Sequence, residues 1–134
     1  MKRRPALLQL SREHHAALVL AKRIAAADGA DAIAAQMRST AEVFARELEP
    51  HFQAEEADLL PRLVAAGETA IVEQTLAEHR LLRDLAARIA SGDTASLKPF
   101  GIALHDHVRF EERLLFVTAE ATLPASYLDD PGSP

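Results

Sequence analysis

Apolar residues recur three and four positions apart in four blocks, the spacing of one face of an α-helix. Block one carries Leu7, Leu10, His14, Ala17, Ala21 and Ile24. Block two carries Met37, Ala41, Phe44, Leu48, His51, Glu55, Leu59 and Leu63. Block three carries Val72, Thr75, His79, Leu82, Ala86 and Ile89. Block four carries Phe100, Ala103 or Leu104, His107, Glu111, Leu114 or Leu115, and Thr118. Gly and Pro punctuation bounds the blocks and predicts helices over roughly 11–27, 31–66, 69–90 and 95–120. Ser11 is the expected N-cap of the first, with Pro5 able to open an earlier turn that takes in Leu7 to Leu10. Pro50 and Pro61 fall inside the second and are expected to kink or break it. Joints this short predict an all-α, antiparallel up-down-up-down four-helix bundle over residues 1–121. A Pro- and Asp-containing tail, 122–134, follows, with Tyr127-Leu128 available to dock on the bundle.

Each apolar stripe contains one histidine, and two stripes also contain a glutamate. His51/Glu55 and His107/Glu111 are pairs at i, i+4, which stack on one helix face. Blocks one and three align with each other: Glu13-His14 matches Glu78-His79, and Arg23-Ile24-Ala25 matches Arg88-Ile89-Ala90. The chain therefore reads as two helical hairpins, each a Glu-His helix followed by a His-x-x-x-Glu helix. A lone histidine on an apolar face is usually a hydrogen-bonded core residue. Four of them, with two carboxylates on the same stripes, make an expensive core, because a buried unpaired carboxylate costs several kcal/mol. A cation removes that cost.

The chemistry of the donors narrows the cation. Six N and O donors without sulfur exceed one tetrahedral zinc. Calcium and magnesium prefer oxygen and would not select four imidazoles. Histidine with carboxylate suits iron or manganese. Two ions sharing two carboxylate bridges would each receive two histidines, with room for a solvent-derived bridge and an exogenous ligand. Neither Glu-x-x-His nor His-Glu-x-x-His occurs. His15 and His105 step onto more polar faces and read as surface or rim residues. Glu56 and Glu112 lie about 100° around the helix from Glu55 and Glu111. Exposure is the expectation for both, with acceptance of an N–H from a ligand histidine as the alternative.

Composition removes other function classes. The 134 residues suit one domain with a single core. A net charge of −5 with both signs dispersed, and 4% aromatics without Trp, argue against nucleic-acid binding. The absence of Cys excludes thiolate and iron–sulfur ligation by this chain. No apolar run reaches spanning length and Met-Lys-Arg-Arg-Pro is followed by too short an apolar run for a secretory leader, so a cytoplasmic domain without membrane association is expected.

Glu13-His14, His51-Phe-Gln-Ala-Glu55-Glu56, Glu78-His79-Arg80 and His107-x-x-x-Glu111, in that order, resemble the hemerythrin-like (HHE) cation-binding domains, from about Ser11 to Thr118. The resemblance implies a four-helix bundle around a non-haem di-iron centre with two iron ions and an oxo or hydroxo bridge. His14, His51, His79 and His107 would then be terminal ligands, and Glu55 and Glu111 the carboxylate bridges. Oxygen-carrying members have a fifth histidine where Arg83 stands here, and place the last carboxylate five residues after its histidine rather than four. Both departures resemble di-iron proteins of iron–sulfur repair and nitrosative stress, and some iron- or oxygen-sensing domains. The leading expectation is binding of a small diatomic ligand, O2 or NO, at an open iron position. A di-iron redox enzyme with an electron donor, a repair protein and a sensing module are the alternatives.

Overall fold

The computed structural model describes residues 3–130, and every regular element among them is helical. Helix α1 spans Pro5–Ala26. Proline opens it because the first helical position needs no N–H donor and already favours φ near that of proline. Ser11 is thus inside the helix rather than at its cap, and its hydroxyl donates to Glu112 at 2.9 Å. The Lys98 ammonium closes the other end, binding the carbonyls of Ile24 at 2.7 Å and Ala27 at 2.6 Å, which a helix C-terminus leaves without partners.

Helix α2, residues 30–65, is one continuous rod. It is α-helical over Ala30–Val43, Glu49–Ala54 and Leu60–Ala65, with π-helical turns at Phe44–Leu48 and Glu55–Leu59 between them. The expected break at Pro50 and Pro61 does not occur. Each proline stands in the first turn of the α-helical segment that follows a π-turn. Proline lacks an N–H and its ring crowds the carbonyl four residues back; the wider register of a π-turn relieves both problems. Gly67, at φ +89, ends this helix in a conformation that other residues rarely adopt.

Helix α3 spans Thr69–Ala90, as the periodicity predicts. A 3-10 turn, Thr94–Ser96, follows and is capped by Asp93, which accepts from the Ala95 N–H at 3.2 Å and the Ser96 hydroxyl at 2.7 Å. Helix α4, residues 97–122, comprises Leu97–Phe110, a π-turn Glu111–Leu115, and Phe116–Thr122. A short helix α5, Ala125–Leu128, then docks the tail: Leu128 is buried, and the Tyr127 hydroxyl donates to Asp58 at 3.0 Å. The rest of the predicted tail, 131–134, lies outside the described residues. No helix among those described is long and apolar enough to cross a membrane.

Two apolar clusters make the core. One gathers Ala17, Leu20, Ile24, Phe52, Leu82, Phe100 and Leu104; the other gathers Leu7, Leu59, Leu63, Val72, Leu115, Phe116 and Leu128. On each long helix the ligand-type residues fall at the boundary where one cluster gives way to the other, so a polar layer lies between two apolar ones.

The α1–α4 pairing depends on Gly101. A Cβ there would lie 2.8 Å from Ile24 Cγ2, and Ile24 is fully buried with a branch fixed next to its backbone. Alanine gains about 1 kcal/mol of helix propensity over glycine, whereas overpacking a core costs typically 1–3 kcal/mol. Gly101→Ala is expected to lower stability by about 1 kcal/mol net, measured by urea unfolding; an unchanged or raised midpoint would show that α1 can move away.

Candidate metal centre

All six residues singled out by the stripes are buried, Glu55, His79 and Glu111 completely. Nε2 of His14 lies 2.8 Å from Glu111 Oε1, and Nε2 of His51 lies 3.3 Å from Glu55 Oε2 and 3.6 Å from Glu111 Oε1. Across the site, Nε2 of His79 lies 3.0 Å from Glu55 Oε1, and Nε2 of His107 lies 3.2 Å from Glu111 Oε2. These residues form two groups whose donor atoms all lie within 4.8 Å of one another: His14, His51, Glu55, Glu111, and Glu55, His79, His107, Glu111. Both carboxylates belong to both groups. Among the described residues, four buried side-chain atoms have no hydrogen-bond partner: Nε2 of His51 and His107, and Oε2 of Glu55 and Glu111. Buried polar atoms are nearly always paired. Four orphans in one cluster, all of them donors to metals, fit a cation bound among them.

Each carboxylate opens a π-turn, Glu55 in Glu55–Leu59 and Glu111 in Glu111–Leu115. The extra residue turns the helix surface that follows, which is how π-turns commonly serve functional sites. Proline is not the cause, because Phe116, not proline, follows the second of them directly. Regular 3.6-residue spacing did not predict these turns. The doublets Leu59-Leu60 and Leu115-Phe116 carried the signal: both members of each are buried, where a regular helix turns one aside.

The far nitrogens of the four rings complete the arrangement. Nδ1 of His14 lies 2.6 Å from Glu112, Nδ1 of His79 2.6 Å from Glu56, Nδ1 of His51 2.7 Å from Glu13, and Nδ1 of His107 2.6 Å from Glu78. A ring that presents Nε2 to a metal keeps its proton on Nδ1 and donates it to the carboxylate, which fixes both tautomer and orientation. The expected exposure of Glu56 and Glu112 is therefore corrected. They are half-buried because each sits one residue past an inward carboxylate and reaches the histidine of the adjacent helix. Glu13 and Glu78 mark the repeat in the sequence, but their role was not assigned there. The signal was their matching place, immediately before His14 and His79. His15 and His105 are exposed, as expected.

Electrostatics in the chain without a cation follow from this packing. Burial lowers the basicity of His51, but the adjacent Glu111 and Glu55 carboxylates outweigh it and raise its pKa to about 11. His107 reaches about 10 against the same burial, through the charge of Glu111, and His79 about 9, through Glu111 and Glu55. His14 is also raised: burial opposes this, and Glu111 and Glu112 prevail. Burial and the neighbouring Glu111 charge raise Glu55. Burial acts on Glu111 in the same sense, but His107, His14 and His51 hold it well below its ordinary value. Protons on the imidazoles thus supply the positive charge that a metal would otherwise bring.

This exchange has a pH signature. In metal-free protein the histidine contribution is complete below the ordinary value of 6.5 and is lost as pH rises through about 9 to 11. Each imidazole that stays protonated only in the folded state removes about 1.4 kcal/mol of stability per pH unit above 6.5. Metal binding has the opposite slope, since it requires neutral imidazoles. Unfolding of chelator-treated protein is therefore expected to become easier between about pH 6.5 and 8, while stabilisation by added divalent metal grows. Parallel pH profiles with and without metal would contradict this charge exchange.

Among curated proteins and among solved structures, no match to the chain was found. The model of one family, described as "Hemerythrin HHE cation binding domain", matches residues 7–119, which contain all four buried histidines and both buried carboxylates. The chain belongs to the hemerythrin HHE cation-binding family.

Proposed function

We propose that the chain is a non-haem di-iron protein that binds a small diatomic ligand, O2 or NO. Its four long helices would form the antiparallel up-down-up-down bundle expected from the sequence. His14 and His51 would hold one ion, His79 and His107 the other, and Glu55 and Glu111 would bridge them. Membership of a cation-binding family and the two donor groups support the metal part of this reading. Iron is favoured by the N4O2 donor set. Bound there, two ferrous ions would supply the electrons for reversible O2 binding.

The observation that carries the ligand part is a small void beside the donors. It holds about 20 Å³ and is lined by Ala17, Leu48, Phe52, Leu104 and Val108, with the rings of His14, His51 and His107 on its inner side. One small molecule needs roughly 10–15 Å³ by the same measure. The apolar walls suit a diatomic gas better than water, which would require several polar partners. Glu13 and Glu47 stand at its edge, with side chains 42% and 47% exposed, and mark the direction of solvent.

The void lies on the Ala17 side of the repeat. The repeat aligns His14 with His79 and hence Ala17 with Leu82. Leu82 is fully buried and fills its half of the core, while Ala17 leaves space in the other. His14 and His51 supply two of the three histidines lining the void and His107 the third, so the ligand reading favours the ion that His14 and His51 would hold. Arg83 also stands on the His79 side, where oxygen carriers place a further histidine, and its guanidinium is occupied by Glu49 and Glu56.

Anaerobic loading with Fe(II) is expected to give about two irons per chain and an optical change on exposure to O2 or NO. Ala17→Leu should leave the iron content intact and weaken ligand binding on the order of tenfold or more, with overpacking costing at most about 1–3 kcal/mol of stability. No optical response in the unaltered, iron-loaded protein would sink the diatomic reading. Steady turnover with an electron donor would assign a redox enzyme instead.

A further inference from the structure

His14 and His79 share surroundings that His51 and His107 lack. The Glu56 oxygen that faces His79 Nδ1 also accepts from Arg83 Nη1 at 2.8 Å. Arg83 grips Glu49 as well, through Nε and Nη2, each at 2.8 Å. Its guanidinium lies over Phe52, 5.6 Å from the ring centroid, and Phe52 stacks on His79 at 4.2 Å. In the other half, Arg3 binds Glu112 Oε1 at 3.1 Å and Glu120 at 2.8 Å, while Glu112 Oε2, the oxygen that faces His14, also accepts from the Ser11 hydroxyl at 2.9 Å. It lies 5.5 Å from the centroid of Phe116, which stacks on His14 at 5.3 Å. Each of these two imidazoles thus has a carboxylate on Nδ1, a phenyl ring on its face and a guanidinium touching both.

The internal repeat does not produce this match. It aligns Arg83 with Leu18, which is on the surface. The guanidinium of the first half comes from the segment preceding α1 instead, and the stacked rings come from non-equivalent positions, Phe52 and Phe116. For His51 and His107 the repeat holds, and the result is different. Their carboxylates, Glu13 and Glu78, are backed by Gln9 at 3.2 Å and Gln74 at 3.0 Å, neutral amides one turn away. Two unrelated segments delivering one constellation to two equivalent rings points to a shared demand of those rings.

We propose that Arg3 and Arg83 are positioning residues of the metal centre. Arg3 holds Glu112 on His14, and so directs Nε2 of that ring at a divalent cation in the His14/His51 half. Arg83 does the same through Glu56 and His79 for the other half. This rests on the metal-centre reading above, not on its diatomic ligand. Glu56 and Glu112 have three rotatable bonds and side chains 26% and 30% exposed, so without a fixed partner their carboxylates can swing to water. A guanidinium fork removes that freedom, which an ammonium on a flexible stem does not.

The sign of the effect separates positioning from simple electrostatics. Deleting a cation near a cation site should, by charge alone, tighten metal binding. Loss of positioning should weaken it. Co(II) titration of the full chain against a competing chelator, with proton NMR of the hyperfine-shifted Nδ1–H resonances, tests this. Arg83→Gln is expected to weaken one of two Co(II) ions on the order of tenfold and to speed solvent exchange of the His79 Nδ1–H, leaving that of His14 unchanged. Arg3→Gln, which alters only the partly exposed arm, should give the mirror result. Unchanged or tighter binding with unaltered exchange would overturn the proposal, as would equal loss at both ions from either variant. A chain that binds no Co(II) would overturn it together with the metal centre. A chain that binds two Co(II) but, loaded with iron, ignores O2 and NO defeats only the diatomic reading.

Discussion

Two carboxylates, Glu55 and Glu111, lie fully buried among four imidazoles, and the rest of the structure is arranged to make that tolerable. Charges removed from water cost several kcal/mol each unless opposite charge and hydrogen bonds are supplied on the spot. The chain supplies imidazoles from all four long helices, and each imidazole hands its outer nitrogen to a further carboxylate nearer the surface. Negative charge is thereby moved outward in steps to Glu13, Glu56, Glu78 and Glu112, where water reaches it. The inner atoms left without partners are those that a cation would use. The apolar clusters above and below the layer seal it from solvent.

Much of this could be read from the order of residues, because helices translate spacing into direction. One histidine per stripe, with glutamates one turn later on two stripes, marked the six residues that the structure gathers in the buried layer. The same rule gave helix α3 to the residue. It failed where the backbone departs from 3.6 residues per turn. The π-turns at Glu55–Leu59 and Glu111–Leu115 were invisible to a constant period, and so was the way Pro50 and Pro61 are absorbed rather than breaking helix α2. It also failed for contacts across helices. The reach of Glu56 to His79 and of Glu112 to His14 depends on which helices are neighbours, which no single stripe encodes.

The internal repeat organises the site, and its exceptions give the two halves different tasks. Where the repeat holds, as in Gln9-Glu13 and Gln74-Glu78, the two halves are chemically alike. Where it fails, a specific property appears. Ala17, where the other half has the buried Leu82, lines a small void. Phe44–Leu48 is π-helical, while its counterpart in α4, residues 100–104, is regular, so the walls of that space have no twin. A duplicated hairpin can thus yield a near-symmetric layer of histidines and carboxylates whose surroundings differ between the halves.

The ion pair between Arg4 and Asp129, at 2.7 Å, carries a consequence for architecture. It brings residues near the two ends of the described chain to one place on the bundle surface. A fold whose ends meet in this way can be spliced into a loop of a larger protein without stretching the host, or be circularly permuted by a short bridge across 4 and 129. Arg3, the neighbour of that junction, rests on Glu112 and through it contacts the His14 imidazole, so the junction adjoins the buried layer.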